Sequence, residues 1–322
     1  MRGARFDDLA SGRSFSLVDL VASHVANDID EVAGVIESAA AASAAGYWVA
    51  GYVSYDAAPA FDPALVARRE EGLPLACFCV YRSVVTEPPP ESDPAPGYSI
   101  SRWTPMVERG DYDKAFTRIH EHIELGDSYQ VALTFPLRAA FSGSADSLYR
   151  DLVASQRPAY AAHLWHDATH IVSVSPERFF GISDGTITTR PMKGTRARGR
   201  WSTEDEAQRS DLAESEKDRA ENLMIVDLIR NDLGRVAEFG SVQVDEMYAI
   251  ERYPTVWQMT SQISARLRDG VGLVDVLGAL FPCGSVTGAP KPRSMQIIAD
   301  VEPHARGVYC GTIGFIPPGD GL

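Results

Sequence analysis

Five prolines fall within the ten residues Pro88-Pro89-Pro90-Glu91-Ser92-Asp93-Pro94-Ala95-Pro96-Gly97. Proline locks φ and carries no N–H, so neither a helix nor an interior strand can run through this stretch. A surface loop is predicted over 88–97. It separates a leading segment, 1–87, from a core predicted over 103–322. In the leading segment Leu17 to Ala45 reads as helical, and Tyr47 to Tyr55 and Leu75 to Val84 read as strands. The last alternates, with Ala76, Phe78 and Val80 opposite Cys77, Cys79 and Tyr81. So few strands make a marginal domain alone. The leading segment is therefore expected to join a larger sheet assembly, with 1–322 forming a single domain.

Beyond the loop, Tyr112, Phe116, Ile119 and Ile123 lie on one helical stripe that Gly126 ends. Tyr129 to Phe135 is strand-like, and Ser144 can cap a helix running to Ser155. Tyr160 to Trp165 and Ile171 to Val174 read as strands. Phe179 to Ile182 pairs with Thr186 to Thr189 around Ser183-Asp184-Gly185. A long helical region covers Glu204 to Asp232. Strands Val242 to Glu246 and Thr255 to Leu267 follow, then helices Leu273 to Leu280 and Pro292 to Asp300. Strands come in runs and helices interrupt them without a βαβα cadence. The fold class is α+β.

Acidic residues outnumber basic ones, 44 to 30, for a net charge of −14. A chain so charged, with no long basic run, is poorly suited to nucleic acid or an anionic membrane surface. No apolar run reaches the length of a membrane span, and Met1 begins no secretory signal. Cys77, Cys79, Cys283 and Cys310 have neither a disulfide framework nor metal-site spacing, as expected of thiols in a reducing cytosol. A cytoplasmic protein working on a small molecule is expected.

Three clusters carry chemistry. Gly284-Ser285-Val286-Thr287-Gly288-Ala289-Pro290-Lys291 is no Walker loop, but its backbone N–H groups can face a carboxylate, with Lys291 and Arg293 adding positive charge. Arg190, Lys193, Arg196 and Arg198 put four cations in nine residues. That is either a solvated basic turn or an anion-binding turn whose lysine becomes a nucleophile when partly desolvated. Asp218 and Glu221 share a helix face. They either pair with Lys217 or Arg219, or, at the mouth of an apolar helix, supply oxygen ligands to Mg²⁺.

The ordered blocks Ser175-Pro176-Glu177-Arg178-Phe179, Arg190 to Thr195, Glu221 to Asp232, Gly284 to Lys291 and Tyr309-Cys310-Gly311-Thr312-Ile313-Gly314-Phe315 resemble the chorismate-utilising enzymes. That family includes anthranilate, aminodeoxychorismate, isochorismate and salicylate synthases. The resemblance runs from about Asp111 to Phe315, and Gly46 to Tyr52 is similar to the family's N-terminal portion. It implies two packed β-sheets flanked by helices, with the active site between them. Two positions point to the aminodeoxychorismate synthase component I branch. Lys193 stands where anthranilate synthases usually have alanine. Gln130 stands where water-adding members carry a lysine base, and glutamine cannot deprotonate water. The alternatives are an anthranilate synthase component I and a non-catalytic chorismate-binding subunit.

The resemblance implies that Lys193 attacks C2 of chorismate while Glu177, as general acid, protonates the departing C4 oxygen. Ammonia then adds at C4 and expels the lysine. Arg196 and Arg198 would favour the neutral lysine amine. Mg²⁺ would fix the ring carboxylate, with Glu221 as ligand and Asp218 nearby or acting through water. Thr195, Arg196, Gln258, Ser285, Gly288, Tyr309 and Gly311 are the implied substrate contacts. Ammonia would come from a separate glutamine amidotransferase. Gln258 departs from the family, many of whose members carry histidine there; it can hydrogen-bond the C4 oxygen but cannot shuttle a proton. Relatives also continue past the Tyr309–Phe315 strand through an arginine-bearing partner strand and a glutamate-bearing helix. Leu322 is therefore expected not to be the natural C-terminus. The cleft is expected to open beside Tyr309 and Ile313, after a hairpin turn over Pro317 to Leu322.

Overall fold

The computed structural model describes residues 3–92, 97–166 and 168–319. Asp93–Pro96 of the proline-rich loop and Asp320–Leu322 of the expected hairpin turn lie outside the described residues.

Seven strands form an antiparallel sheet in the spatial order Thr169–Ser175, Tyr160–His166, Gly3–Asp8, Arg13–Ala26, Ala76–Thr86, Trp48–Val53, Thr312–Ile316. The leading segment and the core share it, with Gly3 opposite Trp165 and Phe315 opposite Ala50. Alternation sends Val49, Val53, Ala76, Phe78 and Val80 to one face, and Tyr52, Cys77, Cys79 and Tyr81 to the other. Helix Val32–Ala44 covers the first face with Val32, Ile36 and Ala39, all fully buried. Burying a side chain the size of Val32 or Ile36 contributes roughly 1.5–3 kcal/mol.

A second sheet runs Arg178–Ser183, Thr186–Arg190, Val256–Arg266, Met192–Ala197, with Gln243–Arg252 also paired to Val256–Arg266. Helix Glu216–Gly234 lays Ile225, Val226, Ile229 and Leu233 on Ile187, Ile263 and Ala265. Helix Leu273–Leu280 joins the two sheets. Leu277 packs into the first core, while Val276, Ala279 and Leu280 pack into the second. Phe179 and Phe180 touch both. Among the described residues no helix is long and apolar enough to cross a membrane.

Several boundaries differ from the sequence reading. Leu17 to Ala45 is not one helix: Arg13–Ala26 is a strand held between Gly3–Asp8 and Ala76–Thr86. Its register shifts between Leu20 and Ala22, and Asp19 sits at φ 61°. That bulge breaks the two-residue period, so apolar positions fall at helix-like spacing. Of Tyr129 to Phe135 only Gln130–Val131 is strand, paired with Gly288–Ala289. The long helical region divides at Ser215, whose hydroxyl accepts from the Asp218 N–H to cap the second helix. On helix Arg109–Glu124, Ile119 is buried but Phe116 is 49% exposed, so the expected stripe is only partly covered. The strand Thr312–Ile316 pairs on one side with Trp48–Val53.

Candidate active site

Glu177 sits in the two-residue turn between Thr169–Ser175, an edge strand of the first sheet, and Arg178–Ser183, which opens the second. Ser175 braces the turn: its hydroxyl accepts from the Glu177 N–H at 3.2 Å and donates to the Glu177 carbonyl at 3.1 Å. The strand Met192–Ala197 carries Lys193 and shifts register against Val256–Arg266 between Met192 and Thr195. Gly194 makes that shift at φ 93°, which a side chain rarely adopts, and a Cβ there would press Asp218 and Leu212 at 3.0 Å.

The third wall is the helical turn Gly284–Thr287. Lys193 Nζ donates to the Ser285 carbonyl at 3.1 Å, and Ser285 Oγ donates to Glu177 Oε1 at 2.6 Å. One serine thus holds both the amine and the acid. Burial pushes the Glu177 carboxyl above the ordinary carboxylate value, opposed by the Ser285 hydrogen bond, the Lys193 charge, the Cys283 thiol and the Met192 N–H. A carboxyl raised in this way holds its proton longer, as a proton donor must. Burial also pushes the Cys283 thiol up, to about 12. The turn is anchored by Gly288, at φ 145°, where a Cβ would meet the Gln130 carbonyl oxygen at 1.9 Å. Gly311 is similarly confined, by the Val53 carbonyl at 2.3 Å from its would-be Cβ.

Other expected site residues have different employment. Arg196 pairs with Asp211 at 2.5 Å and Asp218 at 2.9 Å, and Arg198 with Asp205 at 2.5 Å. Their charges are offset by their own carboxylates, so they do not form the bare cationic cluster expected around Lys193. Lys291 and Arg293 do not face the loop either. Lys291 is buried against Asp232 and the Leu280 carbonyl, and Arg293 pairs with Asp127. Gln258 is 3% exposed and locked: Oε1 accepts from Thr195 Oγ1 at 2.9 Å, and Nε2 donates to the Gly194 carbonyl at 2.8 Å. It shapes the Lys193 bulge. Tyr309 is 65% exposed.

Asp218 is engaged by Arg196, whereas Glu221 is partly exposed and, among the described residues, has a long 3.7 Å pairing with Lys217. Among the described residues no three His, Cys, Asp or Glu side chains converge into a metal cluster. A cavity of about 880 Å³ lies beside the turn, lined by Tyr160, Pro176, Arg190, Arg198, Glu251 and Tyr253 among others. Neither Lys193, Glu177 nor Ser285 lines it, so the convergence of those three, rather than this cavity, marks the chemistry.

Two further residues were missed in the sequence reading. Cys283 Sγ lies 3.1 Å from Ser285 Oγ. Arg306 donates to the carbonyls of Val286 and Ala132 while paired with Glu302, tying the Gly284–Thr287 turn to the 130s loop. The four-residue spacing of Glu302 and Arg306 was the only available signal.

Comparison with known proteins gives the family and the fold. The family described as chorismate binding enzyme matches residues 9–322. Aminodeoxychorismate synthase component 1 of Escherichia coli K12 is 44% identical over 216 residues, 67% of this chain and 48% of that protein. Anthranilate synthase component 1 of Aquifex aeolicus is 42% identical over 217 residues, 67% of this chain and 44% of that protein. The chain therefore spans about half the length of the curated relatives it matches. Anthranilate synthase component I from Streptococcus pneumoniae superposes with a TM-score of 0.80 at 24% identity, covering 98% of this chain and 81% of that one, which shows a shared fold. This chain belongs to the chorismate-binding enzyme family.

Proposed function

We propose that the protein carrying this chain aminates chorismate at C4, giving 4-amino-4-deoxychorismate for para-aminobenzoate and folate synthesis. The observation that carries the reading is the shared grip of Ser285 on Lys193 and Glu177. Hydroxide leaves poorly, so the displacement is divided in two. Lys193, once its ammonium has given up a proton to solvent, attacks C2; the ring double bonds shift, and the C4–O bond breaks as Glu177 gives its proton, releasing water. Ammonia then adds at C4, the double bonds shift back, and the C2–N bond to Lys193 breaks. Thr195, Gly288, Tyr309 and Gly311 line the approach to these two groups in this reading, and Gln258 and Arg196 contribute by holding the Lys193 bulge and Asp218.

Glu221, with a single long ion-pair contact, fits Mg²⁺ bound through one or two carboxylates with waters and a substrate oxygen. Asp218, committed to Arg196, fits an outer position. The ion would supply charge opposite the substrate's ring carboxylate. A separate glutamine amidotransferase would deliver ammonia, and cysteines that form no disulfide among the described residues suit a cytoplasmic setting.

Incubating the protein with chorismate, Mg²⁺ and ammonium and identifying the product by mass tests the reading. Aminodeoxychorismate supports it. Anthranilate would assign the protein to the other branch, and unchanged chorismate would indicate a binding subunit.

A further inference from the structure

The hydroxyl of Ser285 has one hydrogen, and the 2.6 Å contact commits it to Glu177 Oε1. Cys283 Sγ approaches the same hydroxyl oxygen at 3.1 Å. With the serine hydrogen directed at Glu177, the thiol hydrogen is the one that fits between those two atoms, and Glu177 Oε1 lies within its reach at 3.8 Å. Burial keeps Cys283 a thiol, its pKa pushed up to about 12, so the donor persists at neutral pH. Both groups therefore act on the same carboxylate oxygen: Ser285 donates to Glu177 Oε1 at 2.6 Å, and the Cys283 thiol hydrogen lies between Ser285 Oγ at 3.1 Å and Glu177 Oε1 at 3.8 Å. An oxygen already accepting a short hydrogen bond is the poorer place for the acid's own proton, which goes to Oε2.

We infer that Cys283 and Ser285 are positioning residues that together orient Glu177 and leave its transferable proton on Oε2. The inference rests on the reading of Glu177 as the general acid. The charged and titratable groups acting on Glu177 come from three elements. Lys193 comes from the strand Met192–Ala197, Cys283 from the start of the Gly284–Thr287 turn, and Cys310 from the loop before Thr312–Ile316. Lys193 favours the carboxylate, while burial favours the acid. The hydrogen bond from Ser285 also favours the carboxylate, so it restrains the carboxyl from rising further.

The test is the titration of the Glu177 carboxyl by ¹³C NMR in protein labelled at glutamate side-chain carboxyls, with Glu177→Gln identifying its resonance. Ser285→Ala should move that titration to higher pH, and Ser285→Thr, which keeps the hydroxyl, should return it toward the native position. Cys283→Ala should move it in the same direction but less, because the serine is then free to turn. In the amination assay Ser285→Ala should lower kcat on the order of tenfold to a hundredfold with KM little changed. It should also carry the alkaline limb of the kcat profile upward. A titration that stays in place in Ser285→Ala, or moves downward, overturns the inference. So does a kcat loss with an unmoved limb, which would mean mere structural damage. The reading of Glu177 as acid fails separately, if Glu177→Gln retains full amination.

Discussion

Lys291 Nζ lies 2.9 Å from Asp232 Oδ2, and both side chains are about nine-tenths buried. The pair ties the first turn of helix Lys291–Val301 to the last turns of helix Glu216–Gly234, with the Leu280 carbonyl as a third partner. The loop lysine is thereby a brace for the wall that carries Ser285, not a substrate contact. Lys291→Met leaves the Asp232 carboxylate buried without its partner. Loss of one member of a buried pair costs about 3–5 kcal/mol. Urea unfolding should register that loss, and adding Asp232→Leu should recover part of it. A single variant as stable as the native protein would mean the pair contributes nothing.

Glu177 is held at a cost to stability that depends on pH. Its folded carboxyl keeps the proton longer than the unfolded chain does, because it is buried. Below the unfolded value of roughly 4.3 both states are protonated and there is no difference. As pH rises past that value the unfolded chain ionises first, and the folded state loses relative stability until its own carboxyl ionises. Glu177→Gln should therefore have a higher Tm than the native protein near pH 7, with the gap closing at about pH 4. A gap of the same size at both would remove the raised carboxyl from the account.

Lys193→Ala should abolish ammonia-dependent amination and leave chorismate binding measurable by titration calorimetry. The side chain is anchored on the Ser285 carbonyl, not its hydroxyl, so its removal leaves the Ser285–Glu177 contact standing. Full retention of amination would eliminate Lys193 as nucleophile.

Glu221→Gln takes one anionic oxygen donor from the face of helix Glu216–Gly234 while leaving the Arg196–Asp218 pair intact. The Mg²⁺ concentration needed for half-maximal activity should rise steeply, on the order of tenfold or more for loss of one charged ligand. An unchanged Mg²⁺ titration would take Glu221 out of the metal's reach.

What the sequence determined by itself lies within a few residues of chain. The Ser144 cap, the Ser183-Asp184-Gly185 turn, with Asp184 and Gly185 both at positive φ, and the helix Leu273–Leu280 appear where the local pattern places them. Caps and turns are set by neighbours a few positions away, so they are legible in one dimension. So is the order of the family blocks. The strand Arg13–Ala26 was misread because the bulge between Leu20 and Ala22, beside Asp19 at positive φ, scrambled the alternation on which such reading depends. Tertiary structure alone decided which charges are free. Lys291 finds Asp232 across 59 residues, Arg293 finds Asp127 across 166, and Glu177 finds Ser285 across 108. A guanidinium or ammonium has the same sequence signature whether it is to bind substrate or brace a helix. Burial makes an unpaired charge costly, and only the folded chain settles which carboxylate is near enough to offset it.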